Sequence, residues 1–169
     1  MKALNIVKIS LMCALTIVGA YITIPLPNLP FTLQTFFALL SGLLLSRRDA
    51  MVSQLVYIAL GLIGLPVFSM GGGGISYILR PTFGYIVCLP LLAFTVASLK
   101  EKRLWLSVYL SLVMLLIIGG VWMILVTRLY MARGIMTLIF TIIILYIPVE
   151  IVKGTVVILI YKRLKNILP

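Results

Sequence analysis

The sequence predicts an all-α integral membrane protein with six transmembrane helices and both ends in the cytoplasm. Three observations predict it. Of 169 residues, 63% are apolar and 10% charged, with a mean hydropathy of +1.28; a soluble domain carries roughly 45–50% apolar and about 25% charged residues. The apolar residues fall in runs broken by charge clusters or by Pro and Gly. At about 20 residues per crossing the chain accommodates about six spans and no soluble domain. The basic residues are also shared unequally between alternate connections, and that bias orients the helices.

The first expected helix covers about residues 9–24 and is closed by Pro25, Pro27 and Pro30. The second, 31–46, ends at Arg47, Arg48 and Asp49. The third, 50–65, stops at Pro66, before a stretch with four consecutive glycines, Gly71, Gly72, Gly73 and Gly74. The fourth, 82–99, ends in Lys100, Glu101, Lys102 and Arg103; the fifth is 104–126, and the sixth, 136–161, leads into Lys162, Arg163 and Lys165. The runs are too long and too evenly apolar for barrel strands, so helices must satisfy their backbones in lipid. All six form one membrane domain.

With the N-terminus inside, the cytoplasmic segments hold ten bases: Lys2, Lys8, Arg47, Arg48, Lys100, Lys102, Arg103, Lys162, Arg163 and Lys165. The outer segments hold three, Arg80, Arg128 and Arg133, and Lys153 is left within a helix. The positive-inside rule therefore puts both ends in the cytoplasm of a multi-pass protein of the cytoplasmic membrane. The bases cluster between apolar runs instead of along a solvated face, which argues against nucleic acid as a partner. Lys2 and Lys8 ahead of Val18, Gly19 and Ala20 also have the form of a cleavable signal. Cleavage would leave five runs in poorer charge alternation, so an uncleaved first helix is expected.

Histidine is absent, and Cys13 and Cys88 both lie in apolar runs. Neither a metal site nor a disulfide framework is expected, and no cofactor motif is present. The glycine tract lacks the Lys-Ser/Thr that follows a nucleotide-binding loop. It reads either as a lid or as a plain connection, and Pro27 and Asn28 lie in the stiff connection on the same outer face.

Glu150 and Lys153 stand alone as ionisable groups inside an expected span. A charge at the bilayer centre costs about 2.5–3.5 kcal/mol on insertion scales. Their i, i+3 spacing puts them about 60° apart on one helix face. They read as a polar anchor for a solute, a self-neutralising pair or a proton relay. Tyr146 lies one turn earlier on that face, and Pro148 is expected to kink the helix before it. Gln34 and Gln54 either bind solute or bond to neighbouring helices. Ser10, Ala14, Thr16 and Ala20 give the first helix small faces for close packing, inside the body or against another membrane subunit. No nucleophile–base pair is visible, so an enzyme is not expected.

The words PFTLQTFFALLSGLLLS (30–46), SQLVYIALGLIGLPVFSMGGGG (53–74), RPTFGY (80–85) and YIPVEIVKG (146–154) together resemble the BioY biotin-uptake family, as does the opening VGAYITIPLPNLPFTLQ (18–34). The resemblance implies a six-helix, substrate-binding S component of an energy-coupling-factor vitamin transporter. Such a subunit takes biotin from outside and works with a transmembrane coupling protein and two ATPase subunits, or alone. By that resemblance Glu150 stands where the family usually has Asp, and Lys153 matches its Lys. Glu150 then accepts from a ureido N–H, and Lys153 donates to the ureido carbonyl or to the carboxylate. Phe68 and Tyr85 are expected to cover the bicyclic ring. Departures are Val149, Arg80 and Phe83 for glycines, and a first helix whose small-xxx-small pattern holds at Ser10/Ala14 and Thr16/Ala20 but fails at Cys13/Ile17. The rival readings are an S component for thiamine or riboflavin, a non-transporting scaffold, and an intramembrane enzyme using Glu150 and Lys153.

Overall fold

The computed structural model describes residues 3–24, 31–130 and 146–167. Pro27 and Asn28, Arg133, and the first part of the expected sixth helix lie outside them. Among the described residues there are six α-helices: α1 (Ala3–Tyr21), α2 (Gln34–Leu44), α3 (Arg47–Leu62), α4 (Phe83–Leu99), α5 (Leu104–Tyr130) and α6 (Ile147–Ile167). Two residues on each side of the Pro-rich connection, β1 (Thr23–Ile24) and β2 (Phe31–Thr32), pair antiparallel with Thr23 opposite Thr32. Short 3₁₀ turns at Ser69–Gly71 and Ile75–Leu79 join α3 to α4.

The second helix departs most from expectation. It has 11 residues, about 16 Å of rise, which is roughly half of a bilayer's hydrocarbon core. Its apolar run loses Phe31 and Thr32 to the strand pair at one end, and at the other Leu45 is extended. Ser46 then caps α3, accepting from the Asp49 backbone N–H at 3.2 Å. Arg47, Arg48 and Asp49 are thus the first turn of α3, not a break between helices. Asp49 there complements the helix dipole. The stretches Ala3–Tyr21 and Leu104–Thr127 are, among the described residues, the two long and apolar enough to cross a membrane unaided.

A charge from α4 finishes the short α2. Lys100 donates to the carbonyls of Gly42, Leu43 and Leu45 at 3.1, 2.8 and 2.7 Å, satisfying acceptors that a helix end leaves orphaned. Burial pushes the Lys100 pKa below the usual lysine value, opposed by the nearby Glu101. Gly42 makes this approach feasible, since a Cβ there would lie 2.7 Å from the Ala93 carbonyl oxygen.

α4 is the centre of the bundle, packed on α5, α3 and α2, while α1 lies against α2 and α3. The interior holds Tyr57, Phe68, Leu39, Leu43, Leu92, Val96, Val108 and Leu115. Exposed Leu4, Val7, Leu11, Val113, Ile117, Val121 and Leu159 make the outer surface apolar as well, as a lipid-facing surface requires. Between α1, α2 and α3, fully buried Gln54 donates to Thr16, Ser41 and Ser53 hydroxyls at 3.2 to 3.3 Å. Gln54 therefore bonds to its neighbours instead of facing a solute.

That network corrects the expectation for the first helix. Thr16 and Ala20 are fully buried, so they pack inside the body and offer no docking face. Ser10 and Ala14 are exposed.

Candidate functional site

Helices α2, α4 and α6 begin at the same end of the bundle, and a cavity of about 540 Å³, counting its open mouth, lies among their first turns. β2 and α2 supply Thr32, Gln34 and Thr35. The α3–α4 connection adds Ser69 and Thr82, and α4 adds Tyr85, Ile86 and Leu89. Leu115 and Leu116 of α5 form an apolar wall, and Tyr146, Glu150 and Lys153 close the α6 side.

Five of the six expected binding residues thus meet in one place: Gln34, Tyr85, Tyr146, Glu150 and Lys153. The sixth, Phe68, does not. It is fully buried beneath the glycine-rich connection, with its ring in a slot over Gly61, where a Cβ would stand 2.0 Å from Phe68 Cζ. An aromatic beside glycines reads as a cover for a ring, but here it anchors the loop. The backbone turns through positive φ at Met70, Gly71 and Gly74, and Gly74 donates to the Gly61 carbonyl at 2.8 Å. The glycine tract is therefore folded tightly onto the end of α3.

Lys153 Nζ lies 2.6 Å from Glu150 Oε1, and the two residues are only 6% and 4% exposed. The ammonium also sits 4.1 Å from the centroid of the Phe31 ring, a cation–π contact. Glu150 occupies the first turn of α6, where the helix dipole favours a carboxylate. Pro148 is in that same turn, two residues after the π-helical Tyr146, and the stretch in which a kink is expected to begin lies outside the described residues. Among the described residues two buried polar atoms find no hydrogen-bond partner: Glu150 Oε2 and the Tyr85 hydroxyl. The Tyr85 and Tyr146 rings stack at 6.3 Å.

On the opposite wall Gln34 is already committed. Its amide donates to the Tyr57 hydroxyl, and its carbonyl oxygen accepts from Thr32 at 2.8 Å. Ser69 shares a 2.9 Å hydrogen bond with Tyr77. The sequence reading missed Thr32, Thr35, Ser69 and Thr82. The only signal for the first two was their position flanking Gln34. The arrangement offers an unpaired acceptor, a hydroxyl and an ammonium at one end of an apolar slot. It suits an uncharged polar head with both N–H and C=O groups on an apolar body. Among the described residues no cluster of His, Cys, Asp and Glu is placed to hold a metal.

Residues 1–169 match the family model for the BioY family. This chain belongs to the BioY family. It is 50% identical over 101 residues to a probable biotin transporter BioY of Lysinibacillus sphaericus, a match covering 60% of this chain and 51% of that protein. A probable biotin transporter BioY of Pyrococcus horikoshii is 39% identical over 123 residues, covering 73% and 76%. The match to the biotin transporter BioY of Thermotoga maritima is 39% over 107 residues, 63% of each chain. The matches thus span from about half to three quarters of these relatives.

This BioY-family chain also shares the fold of two solved structures. One is the S-component for biotin from an ECF-type ABC transporter, with TM-score 0.83, 23% identity, and coverage of 98% of this chain and 92% of that one. The other is the S component of a bacterial ECF transporter, with TM-score 0.65, 19% identity and 99% coverage of both. Both are S components, so this chain has the S-component fold.

Proposed function

We propose that this chain binds biotin in the cavity between α2, α4 and α6 and serves biotin uptake as an S component. One observation carries the reading: a buried ion pair whose free carboxylate oxygen, beside an unpartnered tyrosine hydroxyl, faces an apolar slot. Buried polar groups are almost always hydrogen-bonded, so these atoms are complementary to a ligand's polar head. Biotin's ureido group has two N–H donors and a carbonyl for Glu150, Tyr85 and Lys153, and its thioether ring and alkyl tail fit Ile86, Leu89 and the two α5 leucines. Calorimetry on the purified protein tests this directly. Saturable binding of biotin, with none of thiamine or riboflavin, is expected; preference for either rival would replace the reading.

The proposal includes six crossings of the bacterial cytoplasmic membrane with both ends inside. Lys8, Arg47, Lys102 and Lys162 then lie at one end of the bundle and the cavity at the other, facing out. Single cysteines at Ile75, 76% exposed in the α3–α4 connection, and at Glu101 between α4 and α5 check it. An impermeant thiol reagent on intact cells should label the first and spare the second. Labelling of Glu101→Cys would reverse the orientation.

Transport through a coupling protein and two ATPase subunits would use the exposed small patch of α1. Ser10 and Ala14 lie one turn apart beside Leu11 and Val7, all exposed, and small residues let helices approach closely in lipid. Ala14→Trp is expected to leave biotin affinity unchanged while cutting uptake or partner co-purification several-fold. Unaltered uptake would move the docking face elsewhere.

A further inference from the structure

We propose that Arg80 captures the carboxylate of the solute at the mouth of the cavity, an assignment that rests on the biotin reading. Arg80 lies in the connection between Ile75–Leu79 and α4, at the cavity's end of the bundle. Its guanidinium is exposed and lies over the Tyr77 ring, 4.6 Å from the centroid. That ring is 2% exposed, and its hydroxyl bonds Ser69 of the cavity wall at 2.9 Å. Thr82, two residues on, is also in the wall. The guanidinium is thus one ring away from the cavity.

Its backbone is held on three sides. The Arg80 N–H donates to the Tyr77 carbonyl at 3.0 Å, and the Arg80 carbonyl accepts from the Phe83 N–H at 3.1 Å and from Trp122 Nε1 at 3.3 Å. A guanidinium held over an aromatic ring and otherwise exposed still has N–H donors to offer, and its fork matches a carboxylate in two parallel hydrogen bonds. No carboxylate partner of Arg80 is found among the described residues, where the one ion pair is Glu150 with Lys153.

Few bases share the cavity's end of the bundle with Arg80; among the described residues Arg128, in the last turn of α5, is the other. Lys8, Arg47 and Arg48, Lys100 to Arg103, and Lys162 to Lys165 all sit at the opposite end of the helices. Lys153 is buried and paired. An anion arriving at the mouth therefore meets Arg80, an exposed cation with no acidic partner among the described residues. With the carboxylate held by Arg80, Lys153 is left to the ureido carbonyl, which decides between its two candidate partners.

Titration of the purified protein with biotin and with biotinamide, its neutral carboxamide, tests the assignment. Wild-type protein should prefer biotin. Arg80→Gln should weaken biotin by about five- to twentyfold, less than a buried charge-assisted bond because the site is partly exposed, and leave biotinamide unchanged. Arg80→Lys should restore part of the preference, and the association rate for biotin should lose its salt dependence in Arg80→Gln. An equal loss for both compounds would mean that Arg80 acts only through the fold, and no loss for biotin would remove it from the site; either result overturns the proposal. Wild-type protein binding neither compound would overturn the biotin reading, and this assignment with it.

Discussion

Lys153→Ala should lower biotin affinity by about 10- to 150-fold. The figure follows from losing one buried charge-assisted hydrogen bond, about 1.5–3 kcal/mol, at about 1.4 kcal/mol per decade. Removing one partner of a buried pair also strands the other, at about 3–5 kcal/mol of stability. The single variant therefore confounds binding with folding. Glu150→Gln combined with Lys153→Met separates them. Replacing both members of a structural pair with groups of similar size should recover stability and keep affinity. A binding pair recovers stability alone, because the methionine thioether cannot replace an ammonium donor and the amide presents a changed head to the ureido N–H groups. Calorimetry on the double variant, run beside its thermal melt, reads both quantities. Wild-type affinity in a well-folded double variant would remove Glu150 and Lys153 from the site.

The pair was legible because a charge inside an apolar run has so few tolerable explanations. Its partners across the cavity were not. Thr32, Ser69 and Thr82 carry hydroxyls, and a lone hydroxyl among apolar residues is unremarkable, since it can bond to nearby backbone, as Thr16 does to the Met12 carbonyl at 2.8 Å. The helix order was written in the alternation of apolar runs with charges. The length of α2 was hidden, since apolarity over 31–46 reports a non-aqueous surround and not helical backbone. The cap that starts α3 was present in the letters, a Ser three residues ahead of an Asp, but the adjoining arginines read as the end of a span. Thr16 and Ala20 show the other limit. A small residue marks close approach without saying to what, and here the other party is α2 and α3 of the same chain.

Phe68→Ala should cost about 3–5 kcal/mol, the usual range for emptying a large aromatic site. The ring is fully buried, with edge contacts to Tyr57 at 5.6 Å and to Phe83 at 6.4 Å and a tilted contact to Tyr77 at 4.7 Å. Those neighbours tie it to function. Tyr57 accepts from Gln34, Tyr77 bonds Ser69, and both Gln34 and Ser69 line the cavity. Losing the ring should therefore also loosen the cavity wall and weaken biotin binding. The slot beneath it supplies an independent check. Gly61→Ala places a methyl where the ring now lies, so the ring must move, and with it the loop that hangs from the Gly61 carbonyl through Gly64 and Gly74. Overpacking of this kind costs about 1–3 kcal/mol. Phe68→Leu vacates part of the same space. The Gly61→Ala, Phe68→Leu double variant should accordingly be more stable than the sum of its singles requires, by roughly 0.5–3 kcal/mol for residues in contact. Unfolding by SDS titration in mixed micelles measures all four corners of the cycle. Strict additivity, or a Phe68→Ala loss under about 1 kcal/mol, would mean that the aromatic does not pin the loop to α3.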